Sequence, residues 1–148
     1  MRARNLASPR ETIRIDANCA DAAAILARHD IRAVLVVDAR GNFAGVLSDS
    51  ELLRGLLPAY VDETEALARV LDESASEALY RRLESRTVSD LMPRDRETAP
   101  VVDADDNLIE VAATMVRARA SLVGVLDGER LIGGISIDDL ISHLLKRR

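Results

Sequence analysis

Aromatic residues and cysteine are scarce in this chain of 148 residues, which contains one Phe, two Tyr, no Trp and a single Cys. Because 48% of the residues are nevertheless hydrophobic, the core must be built mainly from aliphatic side chains. The single cysteine, Cys19, cannot form an internal disulfide. It stands at an apolar position of a predicted helix, and no histidine stands in a recognisable partner motif. We therefore interpret it as a core residue and not as a nucleophile.

Long hydrophobic runs are also missing, and no segment approaches the roughly 20 residues that a membrane-spanning helix needs. The first twelve residues lack the apolar stretch of a signal peptide, so we expect a cytoplasmic protein. The net charge of −5 opposes the phosphate backbone of nucleic acids, and basic residues are scattered except for Lys146, Arg147 and Arg148 at the end. The sequence thus predicts neither nucleic-acid binding nor membrane insertion.

Motifs of catalysis and metal binding are missing as well. Residues 103–107 begin like a calcium-binding EF-hand loop, but Leu108 replaces the required glycine and Thr114 the closing glutamate. Neither histidine has a cysteine or acid cluster around it at zinc-ligand spacing. The Gly133-Gly134 pair is not followed by the residues of a phosphate-binding loop, and no serine lies in a nucleophile elbow. We therefore expect no enzyme, no metal and no required cofactor.

The chain does contain an internal repeat. Residues 3–57 align with residues 88–145, and nearly all the sequence patterns that predict helices, strands and turns recur in the same order. In each copy an Asn precedes an acid by three residues, a pattern typical of a helix N-cap. Apolar residues then follow at helical spacing. The aligned positions are Asn18, Asp21, Cys19, Ala22, Ala23, Leu26 and Ala27 in the first copy, and Asn107, Glu110, Leu108, Val111, Ala112, Met115 and Val116 in the second.

Each helix is followed by two short apolar runs separated by an Asp and a Gly, which predicts a β-hairpin. A second apolar helix closes each copy. Each unit is therefore strand–helix–strand–strand–helix, of the α/β (α+β) class, and the two units must share a core because neither alone could bury enough surface. The hairpin runs are 33–37 with 43–47 and 122–126 with 131–135, and the closing helices begin around Asp49 and Ile137.

Residues 58–86 have no counterpart in the repeat. Two patterns of a capping residue three positions before a Glu, Asp62 to Glu65 and Ser74 to Glu77, predict two short helices there. This segment either covers one side of the core or forms a contact surface between protomers, and the sequence alone leaves both open. We divide the chain into a first repeat (1–57), a helical connector (58–86) and a second repeat (87–148), which together form one compact module.

Four segments of the repeats resemble the cystathionine-β-synthase (CBS) domain family. They are RTVSDLMPRDRET at 86–98, VVD at 36–38, GVLSDSE at 45–51 and GGISIDD at 133–139. The resemblance is to a stand-alone tandem pair, or Bateman module, and it extends over the whole chain except 58–86. It implies that the repeats pack through their sheets as a pseudo-twofold pair. It also implies that clefts at their junction hold AMP, ADP, ATP or S-adenosylmethionine.

Carried over residue by residue, the resemblance makes Ser136 and Asp139 the ribose-binding pair of the second repeat. The chemistry is sensible, because one carboxylate can accept hydrogen bonds from both ribose hydroxyls. The resemblance further implies that residues of preceding strands flank the adenine. These residues are Ala99, Val101 and Leu122. The alternative is that Ser136 and Asp139 simply cap a helix, where acids and hydroxyls are favoured without any ligand.

The resemblance also implies a site in the first repeat. We expect it to be the weaker one, because its acid is Glu51, one methylene longer than the usual Asp. Its other residues would be Ser48, Ile13 and Ala33. Several arginines are candidates for a ligand phosphate, and the sequence does not rank them: Arg10, Arg14, Arg54, Arg94, Arg96, Arg117 and Arg119. The first hypothesis is thus a regulatory sensor of an adenosine-containing ligand that acts on an unknown effector protein. The second is a ligand-free module for homodimerisation or protein interaction, and the resemblance itself favours a homodimer.

Overall fold

A computed structural model describes residues 1–57, 73–93 and 97–146. The helix predicted from the Asp62–Glu65 cap and the candidate arginines Arg94 and Arg96 lie outside these residues. In chain order the helices are α1 (Ala3–Leu6), α2 (Cys19–Arg28), α3 (Asp49–Leu56), α4 (Glu73–Ser85), α5 (Val88–Leu91), α6 (Leu108–Ala118) and α7 (Ile137–Lys146). The strands are β1 (Thr12–Arg14), β2 (Ala33–Val37), β3 (Phe43–Ser48), β4 (Val101–Asp103), β5 (Leu122–Asp127) and β6 (Arg130–Ser136).

The predicted order strand–helix–strand–strand–helix is confirmed in both repeats, and the predicted N-caps explain where the first helices begin. Asn18 accepts a hydrogen bond from the Asp21 amide at 2.9 Å. In the second repeat Asn107 accepts from the Glu110 amide at 3.0 Å, and the Glu110 carboxylate accepts from the Asn107 amide at 2.7 Å. These bonds satisfy N–H groups that the first helical turn leaves without a partner in the helix itself.

Each repeat forms one three-stranded sheet, in the order β1-β2-β3 and β4-β5-β6. The first strand runs parallel to the second, as expected when a helix connects them, and the second and third form the predicted antiparallel hairpin. The register pairs Ala33 with Ser48 in one hairpin and Leu122 with Ser136 in the other. Both serines therefore end a strand next to a buried apolar residue, immediately before a helix begins.

The buried apolar residues of the described part form three clusters, one inside each repeat and a third between the two sheets. The third cluster contains residues of both repeats, so it is the shared core expected from the size of the halves. Phe43 packs at its edge, against Gly124, where a Cβ atom would lie 2.7 Å from the aromatic ring. The cluster is Ala33, Leu35, Val46 and Leu122, with Phe43 and Leu131 packed against it.

The two short helices are exchanged between the repeats. Helix α1 docks on the second repeat, where the Ala3 amide donates to Asp106 at 2.8 Å and the Ala3 side chain is fully buried in the second core. Helix α5 docks on the first repeat in the same way, with the Val88 amide donating to Ala17 at 2.8 Å. The local sequence at these places, with Pro9 and Pro93, indicates a turn and gives no sign of the exchange. As a consequence, the residues between α1 and β1 cross from the second repeat to the first.

Helix α4 gives part of the connector a defined place. It packs against α2 and α3, and Leu79 and Leu83 lie against the first core. Arg82 also donates to the Leu56 carbonyl at the end of α3, at 3.1 Å. The second predicted connector helix is present, although Ser74, its predicted cap, lies inside the helix and not before it. For residues 73–85 the structure favours the alternative in which the connector covers the core.

Cys19 lies at the start of α2 and is fully buried in the first core. Burial raises the pKa of its thiol, and the negative charge of Asp90 raises it further. Since the thiolate is the reactive form, a raised pKa keeps the thiol protonated and unreactive at neutral pH. The interpretation of Cys19 as a core residue is confirmed by this burial.

Candidate ligand-binding site

Ser136 and Asp139 form a reciprocal pair where β6 ends and α7 begins. The Asp139 amide donates to Ser136 Oγ at 3.1 Å, and the Ser136 amide donates to Asp139 Oδ2 at 2.9 Å. This arrangement is a capping box, which holds both side chains in one orientation without any ligand. The capping role weighed in the sequence is therefore present, and it also fixes the carboxylate at the carboxyl end of the strand.

Arg10 brings a positive charge to this pair from the first repeat. Its Nη2 atom makes an ion pair with Asp139 Oδ2 and lies 3.5 Å from Ser136 Oγ. The side chains of Arg10 and Asp139 are 25% and 32% exposed, so the pair is partly withdrawn from water. Charges in such a position are screened less than those of an open surface.

A cleft of about 620 Å³ opens beside the Ser136–Asp139 pair, within the range of about 300–1,000 Å³ that is typical of small-molecule sites. Three parts of the chain line it. They are residues 7–11 between α1 and β1, called the crossing segment below, the turn between α2 and β2, and the region where β5 begins and β6 ends. The lining residues are Pro9, Arg10, Glu11, His29, Asp30, Ile31, Arg32, Ala33, Ser121, Leu122, Ser136, Ile137 and Asp138. Both repeats therefore contribute walls to one cleft.

The cleft has an apolar floor and a charged rim. Ala33 and Leu122 are buried members of the shared core, and Ile31 is half-buried beside them. The rim residues are exposed and carry both signs of charge: Glu11, His29, Asp30, Arg32 and Asp138. An apolar floor with a few fixed polar groups at one end is the usual design of a site for an aromatic ligand that carries polar substituents.

The structure brings only some of the predicted residues of the second-repeat site together. Leu122 lines the same cleft as Ser136 and is its partner across the hairpin. Ala99 is exposed in the segment before β4, Val101 pairs with Gly124, and neither lines the cleft. The strand segment that approaches the Ser136–Asp139 pair belongs instead to the first repeat, because the crossing segment runs over β6.

The residues predicted for the first-repeat site do not lie together in one cleft either. Ala33 joins the cleft just described, whereas Ile13 is buried in the first core. Ser48 and Glu51 cap α3: the Glu51 amide donates to Ser48 Oγ at 3.1 Å, and the Ser48 hydroxyl donates to Glu51 Oε1 at 3.0 Å. Neither of them lines the cleft. At this corner the structure supports a capping role for both.

Nine lining residues were not among the predicted site residues: Pro9, Glu11, His29, Asp30, Ile31, Arg32, Ser121, Ile137 and Asp138. Arg10 was named only as one of seven equivalent arginines. A signal for residues 9–11 existed in the sequence, since Pro9 marks a turn just before β1. No local pattern shows that this turn lies on the other repeat, because that position is set by the exchange of α1.

No group of three or more His, Cys, Asp or Glu side chains that could hold a metal ion is found among the described residues. Within the same residues, no helix is both long and apolar enough to cross a membrane.

Two α/β repeats joined through a shared core, with a cleft between them, define a tandem-repeat module. The family model of the CBS domain matches residues 3–58 and 88–146. The chain therefore belongs to the CBS domain family, and the resemblance noted in the sequence is confirmed. Comparison with curated protein sequences finds no match.

Solved structures of CBS domain proteins share this fold. A CBS domain-containing protein of unknown function from Kribbella flavida is 34% identical, and the match covers 98% of this chain and 99% of that one with a TM-score of 0.81. CBSX2 in complex with AMP is 20% identical, with coverage of 99% and 98% and a TM-score of 0.70. The CBS domain pair of MJ0100 in complex with 5′-methylthioadenosine and S-adenosyl-L-methionine is also 20% identical, with coverage of 100% and 98% and a TM-score of 0.68.

Proposed function

We propose that the protein is a cytoplasmic regulatory module without catalytic activity that binds an adenosine-containing ligand in the cleft between its repeats. The observation that carries the proposal is the carboxylate of Asp139, which does not itself line the cleft but bonds to two residues that do, Ser136 and Arg10. The floor of this cleft is the apolar pair Ala33 and Leu122. The ribose hydroxyls would donate to this carboxylate, and the adenine would lie on the apolar floor. The AMP and S-adenosyl-L-methionine complexes of the two solved relatives support this class of ligand.

The position of the cleft supports a signalling role. Its walls come from the crossing segment, from the first repeat at Ile31–Ala33 and from the second repeat at Ser136–Asp138. A ligand that touches all three contributes a binding free energy that depends on how the repeats are packed. A ligand shifts the balance between two arrangements only through such a difference in affinity. An effector protein would then recognise the arrangement that the ligand favours.

Thermal unfolding in the presence of candidate ligands tests the proposal. The purified protein is heated with AMP, ADP, ATP, S-adenosylmethionine or GMP as a control. A ligand present at 100 times its dissociation constant stabilises the native state by about 2.7 kcal/mol, which raises the Tm by roughly 5–10 °C in a chain of this size. We expect a shift with at least one adenosyl compound and a smaller one with GMP. Equal melting temperatures with all five compounds at millimolar concentration would contradict the proposal.

A second function, self-association, is supported by the apolar face of α7. Its apolar residues recur at helical spacing on one stripe, and Leu140 at the edge of the stripe is buried in the second core. The others stay exposed, and α3 carries Leu53 and Leu57 in a similar state. The exposed residues of α7 are Ile137, Ile141, Leu144 and Leu145. We propose that this stripe contacts the same stripe of a second copy, since a self-complementary patch gives a closed dimer.

The mass in solution tests this second proposal. Light scattering after size-exclusion chromatography should give twice the chain mass at micromolar concentration. Leu144→Glu should return the mass of one chain, because a charge would be buried at the centre of the contact. Ile109→Glu is the matched control, since Ile109 is 80% exposed on α6, and it should leave the dimer intact. A single-chain mass for the unmodified protein would refute dimerisation through α7.

A further inference from the structure

Arg10 connects the crossing segment to the site in the second repeat. Residue Ser8 is fixed to β6 by two backbone hydrogen bonds with Gly134, at 3.1 Å and 3.0 Å. From there the Arg10 side chain follows the end of β6, and a Cβ atom on Gly134 would lie 3.0 Å from Arg10 Cγ. Two residues further on, Thr12 begins β1 in the sheet of the first repeat. The guanidinium thus belongs to one repeat by sequence and bonds to the other.

The Arg10–Asp139 ion pair occupies the carboxylate that the proposed function assigns to the ribose. Asp139 Oδ2 already accepts from the Ser136 amide as well as from Arg10. A ribose hydroxyl that bonds to Oδ2 must therefore compete with the guanidinium. An arginine stays charged, and a partly buried charge that loses its partner is costly unless another anion replaces it.

The guanidinium also retains unused donor capacity. Arg10 Nε is buried and has no hydrogen-bond partner among the described residues. Arg10 is the least exposed of the charged side chains that line the described cleft, since Glu11, His29, Asp30, Arg32 and Asp138 are all exposed. The exposed charges of the rim are screened by water and salt, so they weigh less than Arg10 in the choice of ligand.

We propose that Arg10 makes the cleft selective for nucleoside phosphates, by exchanging Asp139 for the ligand phosphate while the ribose hydroxyls take its place on the carboxylate. A phosphate beside the ribose compensates the displaced guanidinium with charge-assisted and often bidentate hydrogen bonds. Neutral adenosine displaces the guanidinium without offering it an anion. The sulfonium of S-adenosylmethionine brings a second positive charge next to it. This inference rests on the proposed function and adds the class of ligand to it.

Calorimetric titration with AMP, adenosine and S-adenosylmethionine tests the exchange. The unmodified protein should bind AMP at least about 10-fold more tightly than adenosine, as expected for a hydrogen-bonded ion pair in a partly buried site. Arg10→Gln should reduce this ratio to below about 3, through weaker AMP binding and tighter adenosine binding, because the competing ion pair is gone. Arg10→Lys should give an intermediate ratio, since a lysine keeps the charge but lacks the planar fork.

Arg14→Gln is the matched control, because Arg14 is an exposed arginine of the adjoining strand β1, pairs with Asp16 and does not line the cleft. It should leave the ratio of AMP to adenosine affinity within about twofold of that of the unmodified protein. An unchanged ratio in Arg10→Gln, or tighter binding of S-adenosylmethionine than of AMP by the unmodified protein, would refute the role of Arg10 and leave the binding proposal standing. Absence of heat with all three compounds in every variant would refute the proposed function itself.

Discussion

Asp139→Asn is expected to weaken binding of the adenosyl ligand by roughly 10–100-fold, the equivalent of about 1.5–3 kcal/mol for hydrogen bonds to a charged group. The cap of α7 survives the substitution, because the Asn side-chain oxygen can still accept from the Ser136 amide as the Asp139 carboxylate does at 2.9 Å, whereas the ion pair with Arg10 is lost. What it removes is the negative charge that makes the carboxylate a strong acceptor for two hydroxyls. Titration with the ligand found by thermal unfolding measures the change in Kd.

The matched control is Glu51→Gln, which removes one carboxylate charge at the corresponding position of the first repeat. Glu51 caps α3 with Ser48, and neither of them lines the cleft, whereas Asp139 bonds to Ser136 and Arg10, which both line it. The Kd should therefore change by less than about threefold in Glu51→Gln. An equal loss in both variants would point to a general effect of charge and not to a ribose contact. A loss confined to Glu51→Gln would move the site to the other corner of the module.

The sequence predicted the local structure well, because each helix cap and each strand end depends on residues close to it in the chain. The Asn18 and Asn107 caps are set by side chains three residues away, and the strand-ending serines Ser48 and Ser136 are set by the change from alternating to helical spacing. These patterns recur in two copies, which made the repeat visible. The family assignment depends on the same local segments and was confirmed for that reason.

The composition of the cleft could not be predicted in the same way, because it depends on how distant segments cross. Arg10 and Ala99 hold equivalent places in the two repeats, one residue before the β1 and β4 regions begin to pair. Arg10 is brought to Asp139, since the exchanged helix α1 carries its segment over β6. The direction of that exchange is set by the packing of one sheet on the other, and no pattern within a repeat encodes it.

A similar limit applies to Phe43, the single phenylalanine. Its size is evident in the sequence, but its place over Gly124 in the shared core depends on the angle between the two sheets. The corresponding residue of the second repeat, Leu131, packs at the same edge. The two repeats are therefore similar in fold and unequal in packing. For this reason the Ser136–Asp139 region and the corresponding Ser48–Glu51 region can be distinguished only by comparing their contacts.

The close approach of the crossing segment to β6 predicts the largest effect on stability. Gly133 has a φ of +154°, a backbone conformation that side chains rarely tolerate, and a Cβ atom there would lie 2.5 Å from the Ser8 carbonyl oxygen. Backbone strain of about 1–3 kcal/mol adds to about 1–3 kcal/mol of steric overlap with a backbone that must move. Gly133→Ala should therefore lower the free energy of unfolding by about 2–6 kcal/mol in urea titration.

Two other glycines with positive φ, Gly45 and Gly128, separate strain from contact. Gly45 has a φ of +152°, but its Cβ would meet the tip of the Met92 side chain, which can turn away, so we expect a loss of about 1–3 kcal/mol for Gly45→Ala. Gly128 has a positive φ and open space around it, so Gly128→Ala reports strain alone, at about 1 kcal/mol. Only Gly133→Ala should also weaken ligand binding, because moving Ser8 displaces Arg10 from the cleft. Equal losses of stability in Gly133→Ala and Gly45→Ala would show that the crossing segment is not held tightly against β6.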